Sequence, residues 1–262
     1  MPELAEIKIM SEYINTVCFD EDFTSISVSP EVANRLALVQ PTDLQIFSIS
    51  ADARGKELRL TLSSGIYKYH LSVSMGMAGH WVFWDSPNAP KHTHLKFKTV
   101  HNRCLCLVDA RRFAKWKWSS NWSTNRGPCP VTEHDLFREH IAQNLKKAAF
   151  GKPIHLVLMD QRYFNGIGNY LRAEILFRAD QDPFEEARTA ITNNPKILEL
   201  CKTVPFEAYH IGGGQLKDWE NPFDVPADGF ERWIKCYGIS DRSIVDKNGR
   251  TFWYYQSQCK GS

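Results

Sequence analysis

Residues 158–178 read LMDQRYFNGIGNYLRAEILFR. At their centre, Asn165-Gly166-Ile167-Gly168-Asn169 is a glycine-punctuated turn between two helical patterns, and a helix over about 170–179 is expected to follow it. Such a turn exposes backbone N–H groups at a helix start, an arrangement that suits phosphate. A tight helix connection with no ligand is spelled the same way, so one G-x-G does not decide between them.

Outward from this turn the second half of the chain reads as helical. Thr132 and Asp135 spell a capping box, and Leu136, Ile141, Leu145 and Ala148 continue an apolar face until Gly151 stops it. Further helices are expected over about 154–160, 196–209 and 227–237. Between Ile244 and Gln256, two β-rich runs flank Asn248-Gly249, a strong hairpin signal and the expected two-stranded finger. Residues 119–131 are rich in Ser, Asn, Gly and Pro without periodicity, the composition of a linker.

The first half reads differently. From about residue 24 to 110 apolar and polar positions alternate, as at Leu58, Leu60, Leu62 and Leu95, Phe97, with β-rich runs at Trp81–Trp84 and Cys104–Val108. This predicts a β-sandwich or barrel. Before it, Ile7, Met10, Ile14 and Val17 stand at helical spacing with acids in the first turn, predicting a helix that begins almost at the first residue.

The 262 residues are 43% hydrophobic and 24% charged, enough for one large or two modest cored domains, and this excludes a disordered chain or a small disulfide knot. No run approaches the ~20 apolar residues of a spanning helix, and Glu3, Glu6 and Glu12 replace the basic start of a signal peptide, so an intracellular chain is expected. Seven cysteines without a C-x-x-C pair point to reduced thiols rather than a zinc ribbon. His92-x-His94 and Cys104-x-Cys106 each fall on one strand face but lack a second pair, so no bound metal is expected. A formal charge of +2 means that any nucleic-acid site must come from local clustering.

Two features carry candidate chemistry. Removal of Met1 would leave Pro2 as a secondary amine at a helix start; an α-amino group has a pKa of roughly 8, low enough to attack an electrophilic carbon near neutrality. Glu3 stands beside it as a possible acid/base. Proline and acids in a first helical turn are equally ordinary start signals. In Arg111-Arg112-Phe113-Ala114-Lys115-Trp116-Lys117-Trp118, cations alternate with rings after a strand, which suits phosphates and a wedge between bases, or a solvated strand with its rings in the core.

Met-Pro-Glu at the start, G-K-E-L at 55–58, M-G-M-A-G at 75–79, D-A-R-R-F at 109–113, the run at 158–178 and N-G-R-T-F-W at 248–253 together resemble the formamidopyrimidine-DNA glycosylase/endonuclease VIII family. Within it the chain looks most like the animal endonuclease VIII-like 1 branch, whose finger lacks zinc-binding cysteines. The likeness runs in order over essentially the whole chain.

The resemblance implies an α+β fold: an N-terminal helix and β-sandwich, then a helical domain with a helix-two-turn-helix and a zincless β-hairpin finger. Residues 1–124 would form the catalytic β-sandwich domain, 131–238 the DNA-binding helical domain and 239–262 the finger, with DNA held between the first two. The implied activity is a bifunctional DNA glycosylase/AP lyase of base excision repair that removes oxidised pyrimidines and ring-opened purines and then cuts by β,δ-elimination. It implies no cofactor, no metal and no membrane, damaged DNA as partner, a monomer, and a nuclear location.

Residue by residue, Pro2 matches the nucleophile, Glu3 the acid/base and Lys56 the lysine of the β-domain. Met77, Arg111 and Phe113 match the residues that fill the hole left by a flipped base, and Asn169 and Arg250 those that grip phosphates. Leu4-Ala5 departs from the usual Gly-Pro, and Gly212-Gly213 is followed by Gly214-Gln215-Leu216-Lys217 where the branch carries a cation in its lesion-recognition loop. The alternative is a non-catalytic damaged-DNA or RNA binding module on the same fold.

Overall fold

The computed structural model describes residues 2–86, 88–214, 223, 225, 226, 228–246 and 249–259. Gln215–Lys217, expected from the resemblance to belong to a lesion-recognition loop, and Lys247 and Asn248 of the expected hairpin tip lie outside them. The chain divides into two compact units; one takes Pro2 and Glu6–Trp122, the other Glu3–Ala5, Ser123–Gly214 and the chain from Val225.

Helix α1 (Leu4–Val17), whose residues from Glu6 on belong to the first unit, buries Ile7, Met10 and Ile14 as its spacing predicts, and Cys18 rather than Val17 takes the last core position. Strands β1 (Phe23–Val28), β2 (Ser48–Arg54), β3 (Glu57–Ser64), β4 (Tyr67–Ser74), β5 (His80–Trp84), β6 (Thr93–Thr99), β7 (Cys104–Val108) and β8 (Lys115–Trp118) form two antiparallel sheets, ordered β1-β6-β7-β5 and β2-β3-β4-β8. This is the expected sandwich. Leu58, Leu60 and Leu62 alternate inward and are fully buried, each contributing about 1.5–3 kcal/mol of apolar transfer. Between β1 and β2 lies a helix that alternation conceals, α2 (Pro30–Leu36), started by Pro30 and burying Val32 alone. His92 and His94 do not share a strand face: β6 is irregular between Thr93 and Leu95, and His92, outside it, has φ 65°.

In the second unit, α3 (His134–Asn144) is shorter than its capping-box reading and starts elsewhere: Glu133 is its N-cap, and Thr132 makes no cap. Its buried face is Phe137, Ile141 and Asn144, whereas Leu136 is exposed. The helix stops where Asn144 turns its amide back to the His140 carbonyl (2.6 Å), and a separate 3₁₀ turn covers Ala148–Gly151. Then follow α4 (Ile154–Val157), α5 (Asn169–Arg178), α6 (Ala187–Asn193), α7 (Lys196–His210) and α8 (Gly229–Trp233). Helix α6 has no counterpart in the sequence pattern, and α8 ends well before residue 237. The reason for that stop is Glu174, fully buried on α5, whose carboxylate accepts the N–H groups of Lys235, Cys236 and Tyr237. The finger is β9 (Arg242–Val245) against β10 (Thr251–Tyr254), closed by Asp246 N–H to the Arg250 carbonyl at 2.8 Å.

Candidate active site

Gly166 at φ 103° and extended Gly168 bring the chain into α5. The first N–H groups of a helix have no partner within it; here those of Tyr170 and Leu171 donate to the Glu3 carboxylate, at 3.1 Å and 3.3 Å. Leu4 N–H donates to the Gly166 carbonyl at 3.1 Å, so the segment before α1 is stitched to the turn at two points. The phosphate cradle offered by the sequence is therefore corrected: a buried carboxylate of the same chain uses those donors. Pro2, also buried, immediately precedes it.

Lys56 stands half-buried in the two-residue turn between β2 and β3, where Arg54 pairs with Glu57 and Gly55 takes φ 59°. That left-handed position is why the turn needs glycine. Next to it Glu57 is buried and accepts the Ser72 hydroxyl at 2.9 Å.

Met77, Arg111 and Phe113 belong to two turns of the first unit that touch. A side chain at Gly76 would stand 2.6 Å from Phe113 Cβ and 2.7 Å from its backbone carbon, so only glycine lets the β4–β5 turn lie against the Phe113 main chain. Met77 and Phe113 are both exposed, and the Arg111 guanidinium lies 4.9 Å from the Phe113 ring centre. The residue that shapes this display is Asp109: 1% exposed, it accepts the N–H groups of Arg111 (3.1 Å), Phe113 (2.7 Å) and Ala114 (2.7 Å). The motif D-A-R-R-F contains Asp109 without disclosing its task, although an Asp ahead of a turn is the usual spelling of such a bond set. Beyond the turn the cation–aromatic run divides: Trp116 is core, its indole N–H on the Leu36 carbonyl, while Lys115 and Lys117 face outward.

In the second unit Asn169 and Arg250 meet through residues that no sequence motif singles out. The Arg172 guanidinium, fully buried, donates to Asn169 Oδ1 (2.6 and 3.1 Å), the His155 carbonyl (3.0 Å) and Asp246 Oδ2 (3.1 Å). Burial pushes its pKa down and Asp246 pushes it back up. Asp246 Oδ1 in turn accepts the Arg250 N–H at 3.1 Å, and Asn169 Nδ2 donates to the Thr251 carbonyl at 2.9 Å. Among the described residues, the second Nδ2 proton of Asn169 has no acceptor. A buried arginine among helical residues is itself a signal of such a network.

Among the described residues no group of three or more His, Cys, Asp or Glu side chains is placed to hold a metal, and no helix is long and apolar enough to cross a membrane.

The sequence model of the formamidopyrimidine-DNA glycosylase N-terminal domain matches residues 1–116. Endonuclease 8-like 1 of Mus musculus is 38% identical over 97% of this chain and 72% of its own length, and that of Homo sapiens 37% over the same shares. The crystal structure of the MutM (Fpg) protein from Thermus thermophilus superposes with a TM-score of 0.79 at 24% identity over 98% of each chain. A Lactococcus lactis Fpg in complex with abasic-site DNA gives 0.79 at 21% over 99% of this chain and 100% of that one. Those two structures share the fold, and the identity to the curated relatives over nearly the whole chain goes further: this chain belongs to the formamidopyrimidine-DNA glycosylase/endonuclease VIII family.

Proposed function

We propose that the chain is a bifunctional DNA glycosylase and AP lyase acting on oxidised pyrimidines and ring-opened purines in damaged DNA. The observation that carries this reading is the Glu3 carboxylate, fixed on the first N–H groups of α5 directly after Pro2. An acid/base locked by two donors beside a secondary amine is a preorganised pair.

In this reading the Pro2 nitrogen attacks C1′ of a nucleotide turned out of the stack, the C1′–N bond to the base breaks, and the base departs with a proton. Lys56 protonates or polarises the sugar ring oxygen, which opens the ring to an iminium. The iminium acidifies the C2′ proton; its removal expels the 3′ phosphate, and a second elimination expels the 5′ phosphate. Glu3 moves protons in the base-loss and elimination steps. Everting a base costs a few kcal/mol, and Met77, Phe113 and Arg111 offset it by filling the hole and addressing the orphaned partner base. Asn169 and Arg250 hold flanking phosphates. Residues 1–124 carry the chemistry, 131–238 and the finger at 239–262 the grip on DNA, and the chain works as a monomer in the nucleus without a cofactor.

The test is borohydride reduction of the protein mixed with abasic-site DNA. A covalent adduct mapped to Pro2 is the expected result. An adduct on a lysine would remove Pro2 from the chemistry, and binding with no adduct would favour the non-catalytic binding module.

A further inference from the structure

A cleft of about 190 Å³ in the second unit has three cations in its walls, Lys152, Arg172 and Arg250, and two carboxylates, Asp160 and Asp246. Both carboxylates are already used. Asp246 pairs with Arg172 at 3.1 Å, and Asp160 takes a two-pronged pair from Arg162, at 2.9 and 2.6 Å. Lys152 and Arg250 are left over: among the described residues neither side chain makes a hydrogen bond or an ion pair.

Both stand on anchored backbone. The Lys152 carbonyl accepts Ala187 N–H at 2.9 Å, and Ile154 N–H reaches the Glu185 carbonyl at 2.9 Å. Arg250 is held at both backbone ends by Asp246, through its N–H at 3.1 Å and its carbonyl at 2.8 Å. The Lys152 charge acts on Asp160, which Arg162 already holds, and the Arg250 charge acts on the paired Arg172, so an anion entering the cleft meets two cations with no hydrogen-bonded carboxylate of their own. The volume lies below the roughly 300 Å³ at which small-molecule pockets begin, so the ligand is a small group and not a base with its sugar. A tetrahedral phosphate has oxygens enough for a forked guanidinium and a point-like ammonium at once.

We propose that this cleft is a subsite for one backbone phosphate of bound DNA, with Lys152 as a ligand that shares that phosphate with Arg250. The inference rests on the glycosylase reading and adds a contact to it. Lys152 is exposed, so its replacement leaves the packing intact.

The test measures binding of the full chain to a duplex carrying a tetrahydrofuran abasic analogue, over a range of salt concentrations. The proteins are the unmodified chain, Lys152→Ala, Lys152→Arg, Arg250→Ala, the double Ala variant and Lys146→Ala, a surface lysine outside the cleft. Loss of one phosphate contact should flatten the slope of log K against log salt by ~0.9. That change is expected for Lys152→Ala and for Arg250→Ala, with no further flattening in the double variant, restoration by Lys152→Arg and no change for Lys146→Ala. A Lys152→Ala slope equal to that of the unmodified chain, or single losses that add in the double variant, would overturn the shared subsite while leaving the glycosylase reading intact. Failure of the unmodified chain to bind the lesion duplex would overturn both.

Discussion

Glu3, Asp109 and Glu174 are buried carboxylates that collect backbone N–H groups, two, three and three of them respectively, Glu174 also pairing with Arg178 at 3.6 Å. Each satisfies donors that would otherwise be buried without a partner, at about 1–3 kcal/mol apiece. Exchanging one oxygen for an amide group turns an acceptor toward a donor. Asp109→Asn is therefore expected to lower stability by about 2 kcal/mol, read as a drop in Tm, and to weaken binding to lesion duplex more than to undamaged duplex by loosening Arg111 and Phe113. Equal weakening on both duplexes would deny the link between Asp109 and the display. Glu3→Gln keeps one of the two acceptors for α5, so DNA binding should survive while excision from a single-lesion oligonucleotide falls at least about 100-fold, the ordinary scale for a general acid/base. Unchanged excision would exclude Glu3 from the reaction. Pro2, Glu3 and Lys56 can be picked out by residue type and motif. Asp109 and Arg172 cannot be given tasks that way, because those depend on backbone bends such as Arg112 at φ 58°, which no pattern of side chains announces.

At the level of elements, the strands are readable because one buried face imposes a period of two, seen at Leu58, Leu60 and Leu62. The short helices α2 and α6, of seven residues each, are not; they bury one and three side chains, too few to set up a helical period. The ends of α3 and α8 depart from the pattern because polar side chains, Asn144 and Glu174, take over backbone groups there. Helix α4 yields a pH prediction. His155 stacks on Phe252 with ring centres 4.9 Å apart, and its Nδ1 donates to the Pro183 carbonyl at 2.7 Å. Burial pulls its pKa below the ordinary 6.5, the Pro183 bond and Asp246 opposing and Arg172 assisting. The unfolded chain therefore takes up a proton that the folded one refuses. Stability from this group is complete above pH 6.5 and falls as pH drops toward the depressed value, then levels off. His155→Phe should lower Tm near neutrality, since the Pro183 carbonyl loses its donor, yet flatten the decline of Tm in acid. An unchanged acid slope would show that His155 does not set it.

For the molecule as a whole, the order of six short motifs makes the family legible while composition does not: a net charge of +2 hides cations gathered at the 109–118 run and around Arg250. The thiols follow the same logic of position over count. Six of seven cysteines are buried, and burial pushes Cys106 and Cys236 up to about 12 and raises Cys18, Cys104 and Cys201. At neutral pH a maleimide should reach Cys259 alone in the folded protein and all seven after denaturation, by intact mass spectrometry. Early labelling of Cys236 would mean that the segment after α8 opens readily.

Helix α5 receives Glu3 at its first turn and sends Glu174 to amides some sixty residues downstream. Hydrogen–deuterium exchange should accordingly find Tyr170, Leu171 and Lys235–Tyr237 slowing together as one late-opening block, although no continuous stretch of chain joins them. A ligand that steadies either carboxylate would then register as protection at both ends of the helix, a readout of occupancy that requires no turnover.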